Sequence, residues 1–134
     1  YQATACTDVT GFGLLGHLVE MTRASGVDVI LDLGQIPWLD GAQETASAGL
    51  LSSLQPQNVR LRRAIRNLDI VVTSPLYPLL FDPQTAGGLL ASVPPDQAED
   101  CLAALKTYGY DRAAIIGTVQ PQTDQVESIT VVGM

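Results

Sequence analysis

Histidine, cysteine, lysine and aromatic residues are all scarce in this chain, and each scarcity removes a class of function. One histidine, His17, and two cysteines, Cys6 and Cys101, occur in 134 residues, and no Cys-x-x-Cys is present. A zinc cluster is excluded on ligand count. Cys6 and Cys101 lie far apart. They could close a disulfide, but they read more simply as two ordinary thiols. Seven Lys and Arg against fourteen Asp and Glu give a net charge of −7. That balance argues against non-specific binding to nucleic acid or to an anionic membrane surface, and its plain reading is solubility. No apolar run approaches the ~18 residues of a membrane span, and a signal-peptide pattern is missing. The chain starts at Tyr1 without an initiator methionine, so a piece of a longer polypeptide is expected.

What remains is an ordinary globular composition, 46% hydrophobic and 16% charged. The length suits a single domain over residues 1–134, burying roughly 65–70% of its unfolded surface. Leu14, Leu15, Leu18, Val19 and Met21 recur at helical spacing before Gly26. They predict an amphipathic helix over 14–25 with Thr10 as a candidate N-cap. Val27 to Leu33 alternates as a strand, and Pro37 and Asp40-Gly41 mark a loop before a short helix over 42–49. Pro56 breaks an ambiguous stretch, with a basic helical turn expected from Asn58 to Asn67. Ile70-Val71-Val72 reads as a strand or a buried segment, and Leu76 to Phe81 as a short helix. A strand over 88–93, a helix over 95–108 with Pro95 at its first position, and strands over 113–119 and 128–132 follow. The polar turn from Pro121 to Gln125 suggests that the last two pair as a hairpin. Strands interspersed with helices indicate a layered α/β fold, a mixed sheet flanked by helices.

Two loops carry the candidate chemistry. In Asp8-Val9-Thr10-Gly11-Phe12-Gly13 a carboxylate precedes a glycine-rich turn that enters an apolar helix. That order brings an oxygen ligand, free backbone N–H groups and the positive end of a helix dipole close together. Magnesium takes only one or two protein carboxylates and fills its remaining positions with phosphate and water, so Asp8 suffices for a partial site. Taken alone, Asp8 reads more simply as a helix cap. Gly11 and Gly13 permit positive φ and close backbone approach. The only lysine, Lys106, falls on the late helix rather than in a P-loop. The second loop, Asp82-Pro83-Gln84-Thr85-Ala86-Gly87-Gly88, is either an anion-facing loop or a tight turn. His17 reads as a packed side chain, and Trp38 as a core or domain-contact residue. Arg60, Arg62, Arg63 and Arg66 hold four of the seven basic residues within seven positions. They form either a solvated face or a phosphate-matching cluster.

With these residues in view, the chain resembles the C-terminal domain of the selenophosphate synthetases (selenide, water dikinases). The resemblance rests on Ala5-Cys6-Thr7-Asp8-Val9-Thr10-Gly11-Phe12-Gly13-Leu14-Leu15-Gly16-His17 and Asp82-Pro83-Gln84-Thr85-Ala86-Gly87-Gly88-Leu89-Leu90. It departs at Ala86, where the family more often has serine, and residues 42–81 match loosely. The resemblance implies the aminoimidazole ribonucleotide synthetase-like superfamily, and a cytoplasmic enzyme making selenophosphate, AMP and phosphate from ATP, selenide and water. It further implies that Asp8 helps hold Mg2+ around ATP, with Thr10, Gly11 and Gly13 shaping the loop beside it. Asp82, Thr85, Gly87 and Gly88 then form a structural or anion-facing loop. The reactive cysteine or selenocysteine, its lysine partner, the nucleotide loop and further metal aspartates belong to the family's N-terminal half. The fragment is therefore expected to be inactive alone, needing its own N-terminal domain, with the whole enzyme a homodimer. The alternatives are another ATP-dependent enzyme of the superfamily and a non-catalytic scaffold domain in a fusion protein.

Overall fold

A computed structural model describes residues 1–134. Its organising strand is β2 (Val27–Asp32), where alternation turns Val29 and Leu31 into the core. β4 (Gly117–Pro121) pairs antiparallel along one edge of β2, and β5 (Ile129–Val132) runs parallel along the other. The three form a mixed sheet in the order β4-β2-β5. The expected hairpin of the last two strands is therefore not formed, because β2 lies between them. Crossing one intervening strand needs about 10 Å, two strand spacings, which the polar residues after Pro121 span easily. The penultimate strand also starts later than the pattern indicates. It begins at Gly117, where the strands approach so closely that a Cβ would sit 2.4 Å from the Ile30 carbonyl oxygen.

Outside β5, residues 65–67 act as an irregular edge. Arg66 N–H donates to Ile129 O, while the Asn67 amide accepts from Val131 N–H and donates to Val131 O. An asparagine side chain thus satisfies a sheet edge as backbone would. Arg66 also donates to the Asp28 carboxylate (2.8 Å), which Thr123 meets with its hydroxyl at 2.7 Å. These hydrogen bonds, that of Thr123 first and that of Arg66 second, hold the Asp28 carboxyl below the usual range.

A second sheet pairs β1 (Ala5–Asp8) antiparallel with β3 (Leu89–Ser92). The helix α1 (Gly13–Ser25) follows β1 and places Leu15, Leu18 and Val19 in the core. Gly26 closes it in the left-handed conformation, φ 63°, as the sequence indicates. Short elements fill the middle of the chain: α2 (Ala42–Ser47), α3 (Gln55–Asn58), a 3-10 turn (Val59–Ala64), α4 (Leu68–Val71) and a 3-10 turn (Tyr77–Phe81). Pro56 does not break this stretch. It sits in the first turn of α3, where its missing N–H costs nothing. Ile70 and Val71 are helical and Val72 caps α4, so no strand forms here: Val71 is buried, while Ile70 and Val72 are exposed. One cluster of 16 buried apolar residues joins α1, β2, β5 and the middle segment. The helix α5 (Pro95–Thr107) has no buried residue, and Gly109 follows it at φ 95°. No helix is long and apolar enough to cross a membrane. Cys6 and Cys101 are free thiols.

Candidate functional site

The two loops singled out in the sequence pack against each other. Val9 N–H donates to Gly88 O (2.9 Å), and Gln84 N–H donates to Thr10 O (3.1 Å). Two glycines make the contact possible. A Cβ on Gly87 would lie 2.3 Å from Val9 O, and one on Gly13 would lie 2.9 Å from the Phe81 carbonyl carbon. Gly13 also has φ 74°, which L side chains rarely adopt. These two glycines therefore serve the junction of the loops. Gly11 and Gly88 differ: both are exposed, neither has positive φ, and a Cβ added to either would meet nothing within 4 Å. The fold does not require glycine at either position, and both leave open space beside the loops.

Thr10 does not cap α1. The helix starts at Gly13 with Phe12 at the cap position and no side-chain cap bond. The left-handed turn at Gly13 moves the helix start beyond the reach of Thr10, which bonds His17 instead. Thr10 N–H donates to His17 Nε2 (3.0 Å), and its hydroxyl lies 2.9 Å from the same nitrogen. An Nε2 that accepts from a backbone amide carries a lone pair, so the ring proton belongs on Nδ1, 3.4 Å from Glu20 Oε2. His17 is 6% exposed and holds the loop in place, in agreement with its reading as a packed side chain.

Asp8 stands at the end of β1, opposite Leu89, and is exposed. The alternation of the pair puts Cys6, Asp8, Leu89 and Ala91 on the exposed face and Ala5, Thr7, Leu90 and Ser92 on the more buried one. Asp8 is not the cap of α1 and takes part in no salt bridge, so the capping alternative is removed. Beside it, the backbone N–H groups of Gly11 and Phe12 donate to no backbone acceptor. At the second loop, Asp82 is half-buried. Burial pushes its carboxyl up, while a hydrogen bond from Gln84 Nε2 (2.9 Å) opposes the shift. Thr85 is exposed.

No three His, Cys, Asp or Glu side chains gather anywhere in the chain. A complete protein metal cage is thus absent, whereas a hard cation sharing one carboxylate with phosphate and water oxygens fits the free Asp8.

Asn58 is the residue that sequence reasoning missed. It is 6% exposed, and its Nδ2 donates to Gly11 O (2.8 Å) and Phe81 O (3.0 Å). One amide therefore ties α3 both to the first loop and to the 3-10 turn that leads into the second. Its only sequence signal was its place at the head of the basic stretch. That stretch divides: Arg66 belongs to the Asp28 clasp, whereas Arg60, Arg62 and Arg63 form no salt bridge. Trp38 packs against the core, and Arg112 bonds its carbonyl oxygen.

The family described as AIR synthase related protein, C-terminal domain, matches residues 1–129. A selenide, water dikinase of Pelobacter propionicus is 44% identical over 119 residues, covering 89% of this chain and 34% of that protein. The selenide, water dikinase of Clostridioides difficile is 35% identical over 129 residues, 93% of this chain and 36% of its own length. That of Burkholderia pseudomallei is 39% identical over 113 residues, 84% of this chain and 32% of the relative. The chain thus spans about a third of the relatives it matches.

Proposed function

The chain belongs to the AIR synthase related protein family, C-terminal domain, and on that premise we propose that it is the C-terminal domain of a selenide, water dikinase. The full enzyme makes selenophosphate, AMP and phosphate from ATP, selenide and water. On this reading residues 1–134 form one wall of the ATP cleft, and an N-terminal domain supplies the other wall and the reactive group. The whole enzyme is a cytoplasmic homodimer.

The observation that carries this role is the free carboxylate of Asp8, exposed beside an uncapped helix start and two backbone N–H groups without backbone acceptors. Asp8 is the ligand this chain offers to Mg2+, which when bound would neutralise charge on the ATP phosphates. The Gly11 and Phe12 N–H groups, which donate to no backbone acceptor, would be available to phosphoryl oxygens. Thr10 is held by His17, so the turn is set before substrate arrives. Gly11 and Gly88 leave room for close approach, and Thr85 offers an exposed hydroxyl on the facing loop. Gly13 and Gly87 let the two loops pack closely, and Asp82 accepts from the side chain of Gln84, whose N–H donates to Thr10 O. A single carboxylate does not balance a triphosphate, so the chain alone neither binds ATP tightly nor turns it over.

Asp8→Asn in the full-length enzyme tests the role. ATP-dependent selenophosphate formation is expected to fall by roughly 10²–10³, the scale of losing one preorganised charge-stabilising group. Activity near that of the parent enzyme would overturn the assignment.

A further inference from the structure

An open cleft of about 310 Å³ lies beside the first loop, lined by Phe12, Gln57, Asn58, Arg60, Leu61 and Arg63. Arg60 and Arg63 lie three residues apart in the 3-10 turn Val59–Ala64, and in a 3-10 helix side chains at that spacing eclipse one another. Both therefore project from one face. Each is anchored by its own turn: Arg60 Nε donates to Gln57 O (3.2 Å), and Arg63 Nε donates to Arg60 O (3.1 Å). Those bonds orient the stems and leave the terminal guanidinium nitrogens available to a ligand.

Neither side chain has a carboxylate partner, although the chain carries net charge −7. Arg66 and Arg112, by contrast, meet Asp28 and Asp40. Two like charges held side by side repel, and an anion across them relieves that repulsion. The rest of the cleft is built around them. A Cβ on Gly16 would lie 2.7 Å from Phe12 Cβ and 3.1 Å from Leu61 Cδ1, so glycine there lets both side chains close on the helix. Phe12 remains 55% exposed as an apolar flank, and buried Asn58 fixes the turn to Gly11.

We propose that this cleft is a phosphate-binding site, with Arg60 and Arg63 gripping the phosphate and Phe12 flanking whatever it is attached to. Two parallel guanidinium forks suit the several oxygens of a phosphate dianion. The phosphate is either free orthophosphate or the terminal group of a nucleotide. The site uses neither Asp8 nor the dikinase assignment.

NMR titration of the 134-residue chain with sodium phosphate, and separately with ADP, at ionic strength held constant with chloride, tests the proposal. Saturable shifts are expected at the Phe12 and Leu61 amides and at the Arg60 and Arg63 Nε–H groups. Arg60→Gln with Arg63→Gln should weaken binding by about tenfold or more, the loss of roughly 1.4 kcal/mol or more. The paired lysine substitutions should lie between, since an ammonium keeps charge but not the fork. Arg62→Gln, outside the cleft, should change affinity less than about twofold. Tighter binding of ADP identifies a nucleotide as the occupant, and equal binding identifies free phosphate. Thermal melts check that the variants fold. Shifts that fail to saturate, that chloride reproduces, or that survive in the folded double glutamine variant would overturn the proposal. No ATP turnover is read, so this outcome is separate from that of the Asp8 experiment.

Discussion

Replacing Asn58 should loosen the site more than its position on a four-residue helix suggests. Its Nδ2 donates to Gly11 O and Phe81 O at 2.8 and 3.0 Å, and Asn58→Ala removes both bonds. The two carbonyls do not suffer equally. Gly11 is exposed, so water can replace the lost donor there, whereas Phe81 is 1% exposed and its carbonyl is stranded. One net hydrogen bond at about 1 kcal/mol plus one stranded acceptor at about 1–2 kcal/mol gives a cost of roughly 2–3 kcal/mol. For a chain of this size that corresponds to a Tm lowered by about 10 °C. Asn58→Asp should be worse near neutral pH, because an ionised carboxylate then faces two carbonyl oxygens. Its folded-state pKa is consequently raised, so the penalty applies above that pKa and fades as falling pH supplies an O–H donor. Urea denaturation of both variants near pH 7 and pH 4 measures this. A cost for Asn58→Ala below about 0.5 kcal/mol, or an Asp variant insensitive to pH, would refute the clasp.

The glycines divide just as sharply. Gly87→Ala drives a Cβ to 2.3 Å from Val9 O and should cost about 2–3 kcal/mol in urea denaturation, while Gly88→Ala, with nothing within 4 Å, should change stability by less than about 0.5 kcal/mol. Asp28 has a lowered folded-state pKa, so its contribution is complete above the unfolded value near 3.9 and is lost as pH falls through the lower folded value. The stability gap between the parent chain and Asp28→Asn should therefore be flat above about pH 5 and shrink below about pH 4. A gap that persists unchanged into acid would contradict that reading.

What the sequence reveals follows the range of the interactions. The body of α1 and its stop at Gly26 are local, written in apolar spacing and one left-handed residue, and both are legible. The start is not, because Gly13 turns left-handed only by packing on the Phe81-Asp82 backbone, far along the chain. The β4–β5 hairpin fails for the same reason. Proximity in sequence favours pairing the two strands, but β2 offers each of them a ladder. Asn58 is hidden because its meaning lies in two carbonyls 47 and 23 residues away. The two-loop motif itself is legible, yet its glycines look alike in sequence. Only the packed structure separates Gly13 and Gly87, which join the loops, from Gly11 and Gly88, which leave space. The arginine run likewise divides according to where acids lie: Asp28 takes Arg66 and leaves Arg60 and Arg63 unpaired.

The central claim is that this chain forms half of a shared magnesium–ATP site through Asp8. Calorimetric titration of ATP into the full-length enzyme, with and without Mg2+, tests it most directly when repeated on Asp8→Asn and on residues 1–134 alone. The parent enzyme should bind with a strong magnesium dependence, Asp8→Asn should lose most of that dependence, and the isolated chain should bind weakly at best. Unaltered magnesium dependence in Asp8→Asn, or micromolar ATP binding by residues 1–134 alone that depends on Mg2+, would contradict the account.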